Sequence, residues 1–539
     1  MKKICLLAIT FVIAGLMITS ATSMSITTDS KEIQPDNAVQ FTVASGVAKA
    51  VKRDNSPGGS AILFAGSRIT GGDYDEYHPS VAASPTGIFY AMAEVSTDGT
   101  SWVPGDFSSD ATGSTWQGEY TFTYPGAQYT ALDSNSVGSY GTFGAPPDAP
   151  GQAIYFKAED VEGDSGVWDW SSVGEGFSNL FYVDIAAYND PNPNATGMGW
   201  NLALTGSYGD DTDVPMVMYR EFGPNNYGLM SRAPRTGYVH AANTVDQAKL
   251  LTYNVYDRSD GTNLYVRVVN VGKWSYSSAQ QYWYHNDKKN LVIAETQFQV
   301  KYPSVAAAND TVMIVAQKIN GTKNDIICYY SINGLSKYNR SMIADSTDNE
   351  TYPQIVLIGG KTAACTYFKN NVSYYKNTTD GGATWNAEIK VSDNQAKAEY
   401  RAQDVCCKAG DAYSVWEDTR NSNVDIYFDK FVHFPAPNIQ ITKVSGGIGK
   451  VSLEITNTGD GDATNVPWMI MVKGGILQLI DVTTTGAVPT LAKNGGVVTV
   501  KTDKFIFGFG AISITVKTAQ LYQTRDGTQL LFYTVVKQA

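Results

Sequence analysis

A short phrase returns along this chain at a nearly fixed interval. Tyr302-Pro303-Ser304-Val305 is followed 50 residues on by Tyr352-Pro353-Gln354-Ile355, and 48 further on by the looser Tyr400-Arg401-Ala402-Gln403. A fourth copy, Tyr77-His78-Pro79-Ser80-Val81, stands far upstream. Inside the period, apolar runs such as Thr311-Val312-Met313-Ile314-Val315-Ala316 and Asp325-Ile326-Ile327-Cys328-Tyr329-Tyr330 alternate with Gly and Asn turns. Short strands repeated every 50 residues or so describe blades arranged round an axis. Residues 60–432 then accommodate six or seven blades, and the phrase is expected to open the first strand of each.

Composition agrees with an all-β chain. Charged residues are 17% of the 539, against roughly 25% in ordinary soluble proteins, while 33 Tyr and 50 Gly supply pleated faces and tight connections. A net charge of −12, with no cluster of Lys and Arg, argues against a nucleic-acid partner. The charge is uneven: from Asn438 onward eight Lys and one Arg face six Asp and Glu. Four scattered His, no HExxH and no CxxC give no basis for a zinc site. Cys328, Cys365, Cys406 and Cys407 are open to two disulfides or to free buried thiols.

Residues 1–23 read as a secretory signal peptide: a charged start at Lys2-Lys3, an apolar run, and small residues at Ala21-Thr22-Ser23. An uncleaved anchor is the competing reading, and it is the expected route to a membrane. Residues 24–58 are a polar tail or linker, and Ala61-Ile62-Leu63-Phe64-Ala65 is the strand expected to close the ring. The propeller is assigned to 59–433. Phe434-Pro435-Ala436-Pro437 ends it, and the alternating strands of 438–539 suggest an immunoglobulin-like β-sandwich.

Thr378-Thr379-Asp380-Gly381-Gly382-Ala383-Thr384-Trp385 follows the pattern S/T-x-D-x-G-x-T-W and resembles the Asp-box (BNR repeat) of sialidase-type propellers. Thr378, Asp380, Gly382, Thr384 and Trp385 are then structural: the side chains bond a turn, Gly takes a positive φ and Trp packs beneath. Ser96 to Trp102 is a degenerate copy, one residue short. The stretch from Tyr77 to Glu94 is similar to the opening blade of sialidases, where a Tyr/Phe-Arg-Ile-Pro phrase supplies an arginine for the substrate carboxylate. Here the matching place holds His78-Pro79. Arg68, Arg220, Glu221 and Arg267, each near a predicted strand end, are the residues from which a catalytic site could be rebuilt.

Trp416-Glu417-Asp418-Thr419-Arg420-Asn421-Ser422-Asn423-Val424-Asp425 resembles a signature of secreted bacterial and archaeal propeller repeats. Trp416, Asp418, Arg420, Asn423 and Asp425 are assigned to turn stabilisation, with Arg420 forking to Asp418 or Asp425. Calcium held by Asp418, Asn421, Asn423 and Asp425 is the alternative, although the Gly and bidentate Glu of an EF-hand loop are missing. No other cofactor is expected. Residues 438–520 look like the CARDB-type modules of archaeal and bacterial envelope proteins, through Asn457-Thr458-Gly459, Trp468 and Phe505-Ile506-Phe507-Gly508-Phe509. The resemblances together imply an exported cell-surface protein whose propeller binds a glycan or a surface protein without catalysis. A sialidase-type glycoside hydrolase and a structural envelope component are the alternatives.

Overall fold

The structure, a computed structural model, describes residues 45–47, 51–52, 67–433 and 437–537, apart from the stretches 71–73, 85–86, 97–101, 111, 122–127, 135–137, 145–152, 160–168, 174–176, 189–198, 209–210, 222–227, 233–235, 278–281, 393–394, 460 and 519–520. The described chain is almost wholly strand. Among the described residues, seven sheets follow one another from Asp75 to His433, each a meander in chain order apart from N-terminal strands that join the outer edges of three of them. Their first strands are Asp75–Ala83, Gln128–Ser134, Phe177–Tyr188, Tyr238–Asp246, Gln299–Ala308, Glu350–Gly359 and Gln403–Lys408. Each packs beside the first strand of the next sheet, and Gln403–Lys408 returns to Asp75–Ala83. The chain therefore forms a seven-bladed propeller with these strands innermost.

Sequence placed the closing strand at 61–65, which lies outside the described residues. Closure is made by Ser67–Arg68, the fourth strand of blade 7, with Ser67 opposite Phe428 and Arg68 opposite Tyr427. The Ile69 N–H donates to the Ile426 carbonyl at 2.8 Å and the Ile426 N–H to Thr70 Oγ1 at 3.0 Å, so the N-terminal strand locks the last blade. Upstream, Val51–Lys52 pairs with the outer strand of blade 1 and Ser45–Val47 with that of blade 2. These additions cover outer edges that would otherwise offer unpaired backbone.

The second strand of each well-described blade is buried on both faces. All eight residues of Phe89–Ser96 are buried, as are Val312 to Gln317 in blade 5. A blade packs against a neighbour on each side, so its middle strands meet apolar surface twice. One cluster, for example, runs from Phe89 and Trp116 of blade 1 to Val415 and Phe428 of blade 7.

The Tyr-Pro phrase does not open the innermost strand; it interrupts it. Tyr302-Pro303 falls where the pairing with the second strand skips two residues, between Lys301 and Ser304, and Tyr352-Pro353 and His78-Pro79 fall at the same kind of break. Pro has no N–H to give a ladder, so it is tolerated at a bulge. Tyr302, Tyr352 and His78 have φ of 55°, 52° and 49°, and Arg401, at 61°, shares that conformation. Arg401-Ala402 thus aligns with Tyr302-Pro303, one residue later than sequence suggested.

Residues 439–536 form a three-stranded sheet (Ile439–Gly446, Val451–Asn457, Gly496–Lys501) and a five-stranded sheet (Ala463–Gly474, Ile480–Leu491, Gly508–Thr518, Leu521–Leu531, Tyr533–Val536). Leu453 and Ile455 of the first sheet share a core with Ile470, Val472, Ile514 and Val516 of the second. Cys328, Cys365, Cys406 and Cys407 are unbridged, the first three buried.

Candidate functional site

The bulges bring side chains from different blades to one end of the axis. His78, Tyr129, Tyr182, His240, Tyr302 and Tyr352, one from each of blades 1 to 6, follow one another with ring centroids 4.8, 4.6, 4.6, 4.4 and 4.9 Å apart. Tyr400, just ahead of the innermost strand of blade 7, meets five of these rings, Tyr129, Tyr182, His240, Tyr302 and Tyr352, at 4.4 to 6.5 Å. It sits inside the crown as its hub. The side chains are partly exposed except His240, which is 9% exposed.

A left-handed backbone at a Tyr or His costs on the order of 1 kcal/mol or more and persists only where surroundings enforce it. Here buried acceptors on the second strands enforce it. Glu417 of blade 7 accepts the His78 N–H at 2.7 Å, Glu94 of blade 1 accepts the Tyr129 N–H, Asp257 of blade 4 accepts the Tyr302 N–H at 2.8 Å, and Gln317 of blade 5 accepts the Tyr352 N–H at 3.3 Å. Each clamp reaches from one blade to the bulge of the next. Two of them also hold an imidazole of their own blade: Glu94 lies 2.9 Å from His78 Nδ1, and Asp257 lies 2.7 Å from His240 Nδ1. With Nδ1 committed to a carboxylate, Nε2 is the nitrogen left for chemistry or for a ligand.

Arg401 runs across the axis. Its guanidinium reaches the Thr130 carbonyl at 3.4 Å, the Ala241 carbonyl at 3.1 Å, Tyr400 Oη at 3.4 Å and the Asp184 carboxylate at 3.7 Å. Three blades are thereby tied to the seventh. Burial would lower His78, but the Glu94 carboxylate holds it above its ordinary value. Burial raises the phenols, Tyr302 to about 12. Glu417, fully buried, is pushed up to about 8 by desolvation despite the nearby His78. Beside it Lys397 contacts Glu399 at 2.6 Å and Glu417 at 3.6 Å and lies over the Tyr77 ring at 3.8 Å. His78, Glu399 and Glu417 each offer a metal-ligand atom, all within 4.8 Å of one another, and the Lys397 ammonium already serves both carboxylates.

The residues singled out in the sequence lie elsewhere. Arg68 is on the outermost strand of blade 7 and pairs with Asp425 at 2.5 Å. Arg220 and Glu221 end the third strand of blade 3, and Arg267, buried, is on the third strand of blade 4. None of the four is on an innermost strand.

Thr378, Asp380, Gly382, Thr384 and Trp385 form one turn on blade 6. Thr378 Oγ1 accepts the Gly382 N–H at 3.1 Å, Asp380 accepts the Thr384 N–H at 3.0 Å and its hydroxyl at 2.6 Å, Gly382 has φ 96°, and Trp385 Nε1 donates to Ser341 Oγ at 3.2 Å. Of the degenerate copy, residues 97–101 lie outside the described residues. A different copy escaped notice in the sequence. In blade 5, Ser331 Oγ accepts the N–H groups of Asn333 (3.3 Å) and Leu335 (3.1 Å), as Thr378 does those of Asp380 and Gly382, and Leu335 also has a positive φ, 58°. Tyr338 takes the place of Trp385. The signal was Ser331-Ile332-Asn333-Gly334, one repeat upstream of Thr378, obscured because Leu and Tyr replace Gly and Trp.

In the Trp416 turn, Arg420 forks to Asp418 at 2.9 and 2.6 Å, and Trp416 Nε1 lies 3.3 Å from the same carboxylate. Asp425 accepts from Arg68, from Asn421 Nδ2 at 2.8 Å and from Asn423 Nδ2 at 3.0 Å. The candidate calcium ligands thus face one another as donors and acceptors, and each carboxylate has an arginine. Glu417, between two residues of this motif, is the member that reaches the axis, and sequence reading passed over it. So did it pass over the crown, because a bulge position shows in sequence only as a Tyr or His beside a break in pattern.

Fold and site define a seven-bladed β-propeller with an aromatic and imidazole crown at one end of its axis. No family model and no curated protein matches the chain. Among solved structures it is similar to the polysaccharide lyase Uly1 (TM-score 0.42, 9% identity, 74% of this chain and 100% of that one). It is also similar to Trypanosoma rangeli sialidase (TM-score 0.33, 10% identity, 92% and 94%) and to the endosialidase of phage phi92 (TM-score 0.38, 10% identity, 72% and 73%).

Proposed function

We propose that the crowned end of the axis binds a carbohydrate chain. The carrying observation is the set of six rings from six blades, five of them against Tyr400. Aromatic faces stack on the apolar faces of sugars, and the tyrosine hydroxyls can bond theirs. In this reading the protein is an exported, sialidase-like surface propeller that binds a glycan without turning it over. Residues 438–539 are its immunoglobulin-like, CARDB-type spacer.

An enzymatic reading has one specific observation in its favour, the His78–Glu94 and His240–Asp257 pairs, which fix imidazoles as proton-transfer groups require. The sialidase-type version asks for several arginines at the axis, whereas the described innermost strands carry none and Arg401, just ahead of that of blade 7, is the arginine that crosses it. A glycan array run beside a panel of fluorogenic glycosides separates the readings. Binding that is lost on Tyr302→Ala, without turnover, is the expected result. Turnover abolished by His240→Ala establishes an enzyme, and silence in both assays leaves a structural component.

A further inference from the structure

The end of the C-terminal domain where Gly508–Thr518 begins is apolar and projects outward. Phe505, Phe507 and Phe509 are 55, 64 and 49% exposed, whereas Ile506 between them is wholly buried, so alternate side chains turn away from the domain core. The neighbouring turn adds Leu477 and Leu479, 84 and 81% exposed, and the 531–533 turn adds Phe532 at 49%. These segments are held together at one place. The Gly475 N–H donates to the Ala511 carbonyl at 2.7 Å, the Ile506 N–H to the Gly449 carbonyl at 2.9 Å, and the Gly449 N–H to the Phe532 carbonyl at 2.6 Å. Leu477 is presented with φ 58° in a turn closed by Gln478 N–H to Gly475 carbonyl at 3.1 Å, and its side chain does not fold back on the core.

A groove for a peptide would hold its apolar residues half-buried. Leucines more than four-fifths exposed are protrusions, and protrusions suit a fluid apolar phase. At the base of the tip, three lysines stand against one exposed acid, Asp503. Lys450 Nζ lies against the Thr502 and Asp503 carbonyls at 2.9 and 2.6 Å, and Lys501 and Lys504 are exposed next to it. The domain carries eight Lys and one Arg against six Asp and Glu, although the whole chain stands at −12. Apolar side chains beyond a belt of lysines match a lipid bilayer with anionic headgroups, the first entering the acyl boundary and the second meeting phosphate. We propose that this tip docks the C-terminal domain onto an anionic membrane surface, independently of what the propeller binds.

The apolar run near the N-terminus could itself carry the full chain to vesicles, so the test reads the tip. In full-length protein bearing Leu477→Trp, vesicles of phosphatidylcholine and phosphatidylglycerol brominated on their acyl chains should quench fluorescence beyond what wild type shows. In sedimentation, Leu477→Ser/Leu479→Ser should lower vesicle binding at least about tenfold, and removing phosphatidylglycerol should weaken the wild type. Quenching no greater than wild type overturns the proposal. So does a concentration-dependent dimer of wild type that the serine variant dissolves, which would make the tip a contact between copies of this chain.

Discussion

At four positions of the crown, His78, Tyr129, Tyr302 and Tyr352, a single residue has two duties: its backbone is bent into the left-handed region, and its ring faces the axis. Three buried carboxylates and the Gln317 amide oxygen stabilise this by taking the bent N–H groups. Glu94 serves two blades at once, so Glu94→Gln tests the idea directly. With the negative charge gone, burial acts on His78 with less opposition, and its pKa should fall, read from the imidazole proton shifts across a pH titration. A His78 titration unchanged by the substitution would show that Glu94 is not its partner. Gly382 offers a second residue-scale test. It has φ 96°, and an added Cβ would lie 3.0 Å from Tyr330 Cβ and 3.2 Å from Cys328 Sγ, whereas Gly321, at φ 64°, has open space around it. Both alanine variants suffer backbone strain, on the order of 1 kcal/mol; Gly382→Ala should lose about 1–3 kcal/mol more from overpacking in denaturant melts.

At the scale of elements, the two polar turns of blades 6 and 7 do one job by different means. In the first, against the upward push of desolvation, hydroxyl bonds from Thr384 and Thr378 and the Thr384 N–H hold Asp380 at about 2. Its contribution should therefore be present above its unfolded value and fade as pH falls towards 2, a fading that Asp380→Ala should remove from acid-unfolding curves. In the second, Arg420 neutralises an Asp418 that is wholly buried. Arg420→Ala leaves that carboxylate without its charge partner and should cost about 3–5 kcal/mol. If the turn depends on its arginines, the melting temperature will not move with millimolar calcium or with chelator; a calcium-dependent rise would support the metal reading. These turns were legible in the sequence because most of their chemistry is local, with donor and acceptor two to four residues apart. The Ser331 turn was less so, since its geometry survives replacement of the two residues that make the pattern easy to see.

Across the whole molecule, Glu417 links the last blade to the first. Its pKa in the folded state, about 8, lies above the ordinary carboxyl value of 4.5, so the folded protein holds a proton that the unfolded chain has released over that interval. Its contribution to stability is complete below 4.5 and is lost as pH rises through about 8. Asp133 and Asp404, raised by burial to about 7, add to the same slope. The melting temperature should therefore climb as pH falls from 8 towards 5, and Glu417→Gln should flatten part of the climb. A stability maximum at pH 8 in the wild type would contradict the assignment.

Sequence by itself determined the repeat, the all-β class and the chemistry of the local turns, because strand alternation and turn bonds involve residues close along the chain. Only the tertiary structure decided the blade count, the closing strand and the crown. His78 and Glu417 are 339 positions apart, and His240 and Tyr400 meet across the axis from different blades. Such pairs exist once a ring has closed, and before closure no spacing marks them. Of the arginines that drew attention in the sequence, Arg68 and Arg220 sit at strand ends and Arg267 lies within its strand, paired on both sides, but a strand end in a propeller faces the axis only on the innermost strand. Which strand that is depends on the order of each sheet, and the order is fixed by packing between blades.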